Sequence, residues 1–329
     1  MSATLQRRRL GKTGWDVTAV GFGAWQIGGG WGEVGERDAM AALHAAADAG
    51  VNFFDTADVY GDGRSEELIG RFLRERDEQL FVATKMGRRA PLDMAQYTLS
   101  NLRAWADRSR ELLGLDSLGL VQLHCLPSEI YDTPQVFESL ETLVAEGVID
   151  HYGVSVETVD EATRALQWDG LATIQLVFNI FRQKAADTLL PAAADHDVGL
   201  IARVPLASGL LTGKLTRDTR FPEDDHRNFN RDGGAFDIGE TFAGVDFSDG
   251  LAAVEELRPL AGDEPLVHFA LRWILSHPQI STVIPGARNA EQARSNAQAG
   301  AKPPLAADIL AAVQRIYRDR IEPSVGHRW

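Results

Sequence analysis

Short apolar runs and helix-patterned segments alternate from one end of the chain to the other. The runs are TAVGFG (18–23), VNFFD (51–55), LFVATK (80–85), GLVQLH (119–124), DHYGVS (150–155), ATIQLV (172–177), GLIARV (199–204) and ISTVIP (280–285). Most are apolar almost throughout rather than alternating, as strands of a parallel sheet covered on both faces are. The segments between them carry helix signals. ERDAMAALHAAADAG (36–50) is Ala-rich and stops on glycine. SEELIGRFLRER (65–76) opens on a Ser N-cap followed by acids. TPQVFESLETLVAEG (133–147) opens on Thr-Pro and ends on Gly, and NAEQARSNAQAG (289–300) opens on an Asn cap. Eight strand–helix units in succession predict an α/β fold, a closed (β/α)8 TIM barrel with its helices outside. An open doubly wound sheet is the competing arrangement.

Three segments lie outside the repeat. Residues 1–17 suggest a small N-terminal β-hairpin before the barrel. Residues 206–248 form a long polar insertion after the seventh strand, and its Gly, Pro and charged content reads as a loop. Within it, FPEDDHRN (221–228) reads as an exposed acidic stretch of a lid or solvated loop. Residues 303–329 form a C-terminal helix and tail. Nothing resembles a linker, so residues 1–329 are expected to form a single barrel domain.

Composition narrows the partners. Of 329 residues, 44% are hydrophobic and 24% charged, which suits a large core. The net charge of −14 argues against general binding to nucleic acid or to an anionic membrane. The lone cysteine, Cys125, rules out an internal disulfide and reads as a small core residue. No apolar run approaches the ~18 residues of a membrane span, and the N-terminus lacks an apolar signal region. A cytoplasmic protein is expected, with no metal, since no His-Asp-Glu spacing demands one. The sequence sets no oligomeric state.

Active sites of such barrels lie at the C-terminal ends of the strands. Here those ends carry Asp55, Lys85, His124, Ser155, Gln175 with Asn179, and Arg203. Ordinary loop-boundary chemistry would account for one such residue; six on one mouth suggest a polar pocket. Tyr60 follows the second strand. A free phenol, with a pKa of ~10, is a weak acid at neutral pH. A nearby ammonium would lower that value, and a carboxylate beside the ammonium would keep it charged. Asp55 would therefore hold Lys85, Lys85 would tune Tyr60, and His124 would donate a hydrogen bond to a carbonyl oxygen. The plain alternative makes Tyr60 a surface residue in a DVYGDG turn.

These residues carry a resemblance to the aldo-keto reductase superfamily over nearly the whole chain. RRLGKTGWDVTAVGFGAWQIGG resembles the family's opening hairpin and first strand. GVNFFDTADVYGDGRSEELIGRFL resembles its most recognisable segment, with Asp55 and Tyr60 in the catalytic positions. FVATKMG supplies Lys85, GLVQLHCLP supplies His124, and VIPGARNAEQARSN is similar to the cofactor segment after the eighth strand. The resemblance implies a barrel that reduces aldehydes or ketones with a nicotinamide cofactor, usually NADPH, Tyr60 being the proton donor. An NADPH-binding regulatory module with weak turnover is the alternative.

No strand-to-helix G-x-G-x-x-G is present, so the phosphates must be held elsewhere. Barrels often hold phosphate after strands seven and eight. By resemblance, Leu206, Ser208, Gly209 and Lys214 would line the pyrophosphate, with Gly23, Ala24 and Trp25 at the first strand's exit also against the cofactor. Gly286 and Arg288 precede the last barrel helix, where Arg288 suits an adenosine 2′-phosphate and favours NADPH/NADP+. Gln292 and Asn296 match adenine contacts, and Gln175 and Ser155 match contacts to the nicotinamide carboxamide. Two positions depart from the family. Val156 stands where Asn is usual, and Arg203 where an aromatic usually stacks on nicotinamide. A guanidinium at Arg203 could stack as a plane or bind an anion, but a cation against the oxidised ring is repulsive and would favour the reduced form. Trp25 and Trp31 would wall a site for small carbonyl substrates and favour apolar ones.

Overall fold

In the computed structural model, which describes residues 4–329, β1 (Arg7–Arg9) and β2 (Asp16–Thr18) form the expected antiparallel hairpin, with Arg7 opposite Thr18. Leu10 and Val17 of this hairpin pack with Phe53, Ala83, Leu120, Ile201 and Ile284. Trp15 stacks on Phe81 with ring centres 4.7 Å apart. The hairpin therefore plugs the floor of the molecule, where the strands begin.

Eight parallel strands follow: β3 (Phe22–Gly23), β4 (Phe53–Asp55), β5 (Phe81–Met86), β6 (Leu118–His124), β7 (Ile149–Ser155), β8 (Leu171–Val177), β9 (Gly199–Arg203) and β10 (Ile280–Val283). They are hydrogen-bonded in chain order, and bridges from Val20 to Val283 and from Gly23 to Gly286 join the last strand to the first. The sheet is thus a closed barrel, and the open doubly wound alternative falls. The first strand is shorter than its apolar run. Thr18 belongs to the hairpin, and only Phe22 and Gly23 pair with β4.

Strand side chains alternate between two faces, and here the alternation separates two kinds of chemistry. Phe54, Val82, Val121, Leu123, Val154, Ile174, Leu200 and Ala202 face outward into the core shared with the helices. The opposite face points into the barrel. It carries Phe53, Ala83, Leu120 and Ile201 near the floor, then Asp55, Lys85, Gln122, His124 and Arg203 two or four residues further along. The apolar appearance of each run comes from its outer face and inner floor. The polar residue at its end is the last inward position.

Helices Glu36–Asp48, Arg64–Arg74, Leu99–Leu113, Pro134–Ala145, Val159–Ala165, Leu189–Asp195, Leu266–Leu275 and Ala290–Ala299 surround the strands. Asn289 caps its helix by accepting from the Gln292 amide at 3.0 Å. Ser65 does not cap. Gly63 holds that position, and the buried Ser65 hydroxyl accepts from Thr56 Oγ1 at 2.7 Å and donates to the Ala24 carbonyl at 3.2 Å. That hydroxyl ties the exits of β3 and β4 together.

The 206–248 insertion is built rather than solvated. It holds short turns at Ala207–Thr212, Ile238–Glu240 and Phe242–Gly244 and a helical turn at His226–Phe229. The expectation that FPEDDHRN is exposed is wrong at its centre: Asp225 and His226 are fully buried. Arg227 satisfies Asp225, its Nη2 lying 2.6 Å from Oδ2, and His226 packs against Trp31 with ring centres 4.3 Å apart. The C-terminal tail docks on this insertion. Trp329 donates from Nε1 to Asp237 Oδ1 at 3.1 Å and lies under the Arg182 guanidinium. No helix among the described residues is long and apolar enough to cross a membrane.

Candidate active site

Asp55, Lys85, Tyr60 and His124 converge at the C-terminal mouth. Asp55 and Lys85 sit on neighbouring strands, and both are almost fully buried. The Lys85 ammonium forms a salt bridge with Asp55, donates to the Thr56 carbonyl at 2.8 Å, and reaches the Tyr60 hydroxyl at 3.3 Å. The second Asp55 oxygen accepts from Gln175 Nε2 at 2.7 Å and from Gln122 Nε2 at 3.2 Å. Both carboxylate oxygens are therefore satisfied, as a buried charge requires. Gln122 is a site residue that sequence reading passed over. It lies two positions before His124, so alternation alone places it on the inward face.

Tyr60 reaches back over the pocket from the loop after β4. Gly28 makes room for it, since a Cβ there would stand 2.6 Å from the Tyr60 Cβ. The Tyr60 ring lies nearly parallel to Trp25 at 6.1 Å and edge-on to His124 at 5.8 Å. The surface-turn alternative for Tyr60 does not describe this geometry.

The titration of these groups differs in one respect from expectation. Burial weighs against a charged Lys85, yet Asp55 and Tyr60 more than offset it, so the ammonium holds its proton more tightly than usual. Burial also raises the Tyr60 phenol. Lys85 pulls it down, but the balance stays above the ordinary phenol value instead of below it. Burial, helped by Lys85, Arg88 and Arg203, pushes His124 well below the usual imidazole range. At neutral pH the set is a cationic lysine, a neutral phenol and a neutral imidazole whose Nδ1 is buried without a partner.

A cavity of about 770 Å³ runs from this set along the mouth, within the ~300–1,000 Å³ typical of small-molecule sites. Its walls include Gly23, Ala24, Trp25, Trp31, Gln175, Arg203, Leu206, Ser208, Gly209, Lys214, Gly286, Arg288, Gln292 and Asn296, alongside Asp55, Tyr60 and His124. Ser155 does not line it. That residue is buried behind Cys125, with its Oγ 3.7 Å from the sulfur. Gln175 does line it, although its side-chain nitrogen is engaged by Asp55 and Gln122.

The residues present fit a nicotinamide dinucleotide phosphate. Val204, Ala207, Ser208 and Gly209 all adopt positive φ, a run of left-handed backbone that non-glycine residues rarely take outside functional sites. Lys214 and Arg288 have no carboxylate partner among the described residues; Arg288 instead donates to the Glu33 carbonyl at 3.0 Å. Gln26 Oε1, on the cavity wall, is a buried acceptor without a donor.

Arg203 is not the bare cation expected. Its guanidinium pairs with Glu240 of the insertion, with Glu157 at 3.1 Å and with the Val156 carbonyl at 2.8 Å. Two carboxylates outweigh one cation, so simple repulsion of an oxidised ring no longer follows. Cys125 lies 3.6 Å from the same guanidinium, and burial pushes its thiol up to about 12, which makes it inert. Neither glutamate was legible as a site residue, and neither was His226, Phe236 nor Arg88.

Asp58, two residues before Tyr60, carries an electrostatic cost. It is buried, neither of its oxygens has a partner, and burial, then Glu66, raises its carboxyl to about 7. A raised native pKa means stability is greatest below the unfolded value of about 3.8 and is lost as pH rises through about 7. Asp58→Asn should flatten that slope and recover on the order of 2–4 kcal/mol above neutrality. Thermal melts of both proteins across this pH window check it; parallel profiles would refute the assignment.

Fold and site together define a (β/α)8 barrel with a titratable cluster and a long cavity at its C-terminal mouth, the arrangement of a barrel enzyme. The model of the Aldo/keto reductase family matches residues 19–318. The chain belongs to the aldo/keto reductase family. It is 30% identical over 295 residues to the aldo-keto reductase YhdN of Bacillus subtilis, covering 86% of this chain and 85% of that protein. It is 28% identical over 339 residues to a probable voltage-gated potassium channel subunit beta of Arabidopsis thaliana, covering 97% and 96%. Its fold is similar to that of an aldo/keto reductase from Klebsiella pneumoniae solved with NADP and acetate, with a TM-score of 0.68, 25% identity and coverage of 95% and 96%.

Proposed function

We propose that this protein is an NADPH-dependent oxidoreductase that reduces an aldehyde or ketone to an alcohol, with Tyr60 as the proton donor. The observation that carries the reading is the Lys85 ammonium, held by Asp55 and placed 3.3 Å from the Tyr60 hydroxyl at the wall of the cavity. Family membership and the likeness to an NADP-bound reductase support the cofactor. When bound, the reduced nicotinamide supplies a hydride to the carbonyl carbon. Lys214 and the 206–209 backbone would hold the pyrophosphate, and Arg288 the 2′-phosphate. Tyr60 donates its hydroxyl proton to the carbonyl oxygen. Lys85 stabilises the phenolate left behind, and Asp55, fixed by Gln122 and Gln175, keeps Lys85 charged. Neutral His124 donates a hydrogen bond to the same oxygen. Trp25, Trp31 and Phe236 exclude water.

The likeness to a channel β subunit favours a second reading, an NADPH-binding regulatory module with weak turnover. Single-turnover oxidation of bound NADPH by a panel of aldehydes and ketones separates the two. Rapid oxidation in the presence of a chelator is expected. Tight NADPH binding with no carbonyl able to oxidise it would overturn the reductase reading.

A further inference from the structure

The charges lining the cavity sort into pairs and remainders. Asp55 is neutralised by Lys85, Arg203 is held by Glu157 and Glu240, and Arg227 by Asp225. Three cations on the wall, Arg88, Lys214 and Arg288, have no carboxylate partner among the described residues, and one acid, Glu291, near Arg288, has no cation partner. Lys214 and Arg288 lie on the segments after β9 and β10, where the reading above places the cofactor's phosphates. Arg88 lies on the other side, three residues after Lys85, and its charge is among those that act on His124.

The fate of the adjacent arginine sharpens the point. Arg89 turns away, bridging to the Asp62 carboxylate and donating to the Asp58 carbonyl at 3.3 Å. Arg108 also reaches Asp62, at 3.4 Å. The nearby acid is thus shared between two arginines, and Arg88 is left half-buried and unmatched on the wall of the reaction chamber. A guanidinium drawn partly out of water gains most from a planar anion it can grip with two N–H groups. Trp25, Trp31 and Phe236 supply apolar wall to the same cavity, and the other arginines on it, Arg203 and Arg227, are already paired with carboxylates.

We propose, on the basis of the reductase reading, that the natural substrate is a carbonyl compound bearing a carboxylate, an oxo-acid whose anionic end is gripped by Arg88 while its carbonyl meets Tyr60 and His124. Arg88 is then a specificity-determining residue. A short linker between the two groups suits it, because Arg88 and His124 share one end of the cavity.

The experiment compares kcat/KM for succinic semialdehyde with that for its methyl ester, with NADPH, in the wild-type protein, Arg88→Met and Arg88→Lys. The acid is expected to exceed the ester by about tenfold or more in the wild type. That ratio should collapse toward one in Arg88→Met and be partly kept in Arg88→Lys. A wild-type ratio of one, or a ratio unmoved by Arg88→Met, overturns the proposal. A second arm needs no turnover: succinate is titrated into the NADPH-loaded protein and followed by tryptophan fluorescence. Arg88→Met should raise its Kd by about tenfold, and an equal Kd overturns the proposal. If neither carbonyl is reduced but succinate binds through Arg88, the reductase reading fails and the anion site stands.

Discussion

Tyr60→Phe is expected to lower kcat for carbonyl reduction by about 10²–10⁴ while NADPH binding is kept. The change removes one hydroxyl and little else. The ring keeps its contacts with Trp25 and His124, and Lys85 keeps Asp55 and the Thr56 carbonyl. Folding should therefore be preserved, and a loss confined to turnover points to the proton. The pH profile gives a second, independent mark. The active form of a proton donor is the neutral phenol, so activity is lost as pH rises through its pKa. Because burial outweighs Lys85 at Tyr60, that alkaline limb should lie above ~10 in the free enzyme, and it should vanish in the variant. A wild-type rate in Tyr60→Phe, or a limb well below that value, would remove Tyr60 from the role.

The same burial shows what a sequence can and cannot reveal about such a site. Asp55, Lys85 and His124 were legible because each ends an apolar run, and a strand's last inward side chain faces the mouth of the barrel. The motifs around them made the family legible as well. Gln122 was equally predictable from alternation but sits inside its run, where it reads as an interruption. Glu240, Glu157 and His226 belong to another category. A carboxylate is buried in its charged form at low cost only where a partner meets it, and the partner of Glu240 is 37 residues away in the chain. The insertion read as solvated because its charges were counted one by one. In the fold, Asp225 is matched by Arg227 and Glu240 by Arg203, and Phe221, Phe236 and Phe242 supply an apolar underside. The net upward shift of Tyr60 was illegible for a related reason: charge partners can be guessed from spacing, but desolvation depends on what closes over the group.

Arg203→Ala should destabilise the protein by about 3–5 kcal/mol at neutral pH, the usual cost of stripping one partner from a buried ion pair. Arg203 ends β9, and both Glu157 and Glu240 lean on it. Without it Glu157 and Glu240 face each other beside Cys125, an oxygen of each and the sulfur lying within 4.8 Å of one another, and the cation left near Glu157 is the more weakly acting Arg182. In the wild type, burial opposes ionisation of Glu157, but Arg203, helped by Cys125 and Arg182, overcomes it and holds the carboxyl below its usual range. That pairing adds stability above the unfolded carboxylate value of about 4.5 and loses it as pH falls through the lower native value. In Arg203→Ala the sign reverses. Burial and mutual repulsion raise one glutamate, which then takes up a proton, so the variant should gain stability as pH falls from neutrality. The gap in melting temperature between the two proteins should therefore narrow toward acid pH. The effect also reaches the cavity, because Glu240 is the insertion's charged tie to the barrel. Releasing that tie should weaken NADPH binding and shorten the residence of bound cofactor. Arg203→Lys, which restores a cation but not the fork that grips both glutamates, should recover only part of each loss. A variant melting like the wild type at neutral pH, with cofactor affinity intact, would mean that the triad neither secures the insertion nor shapes the site.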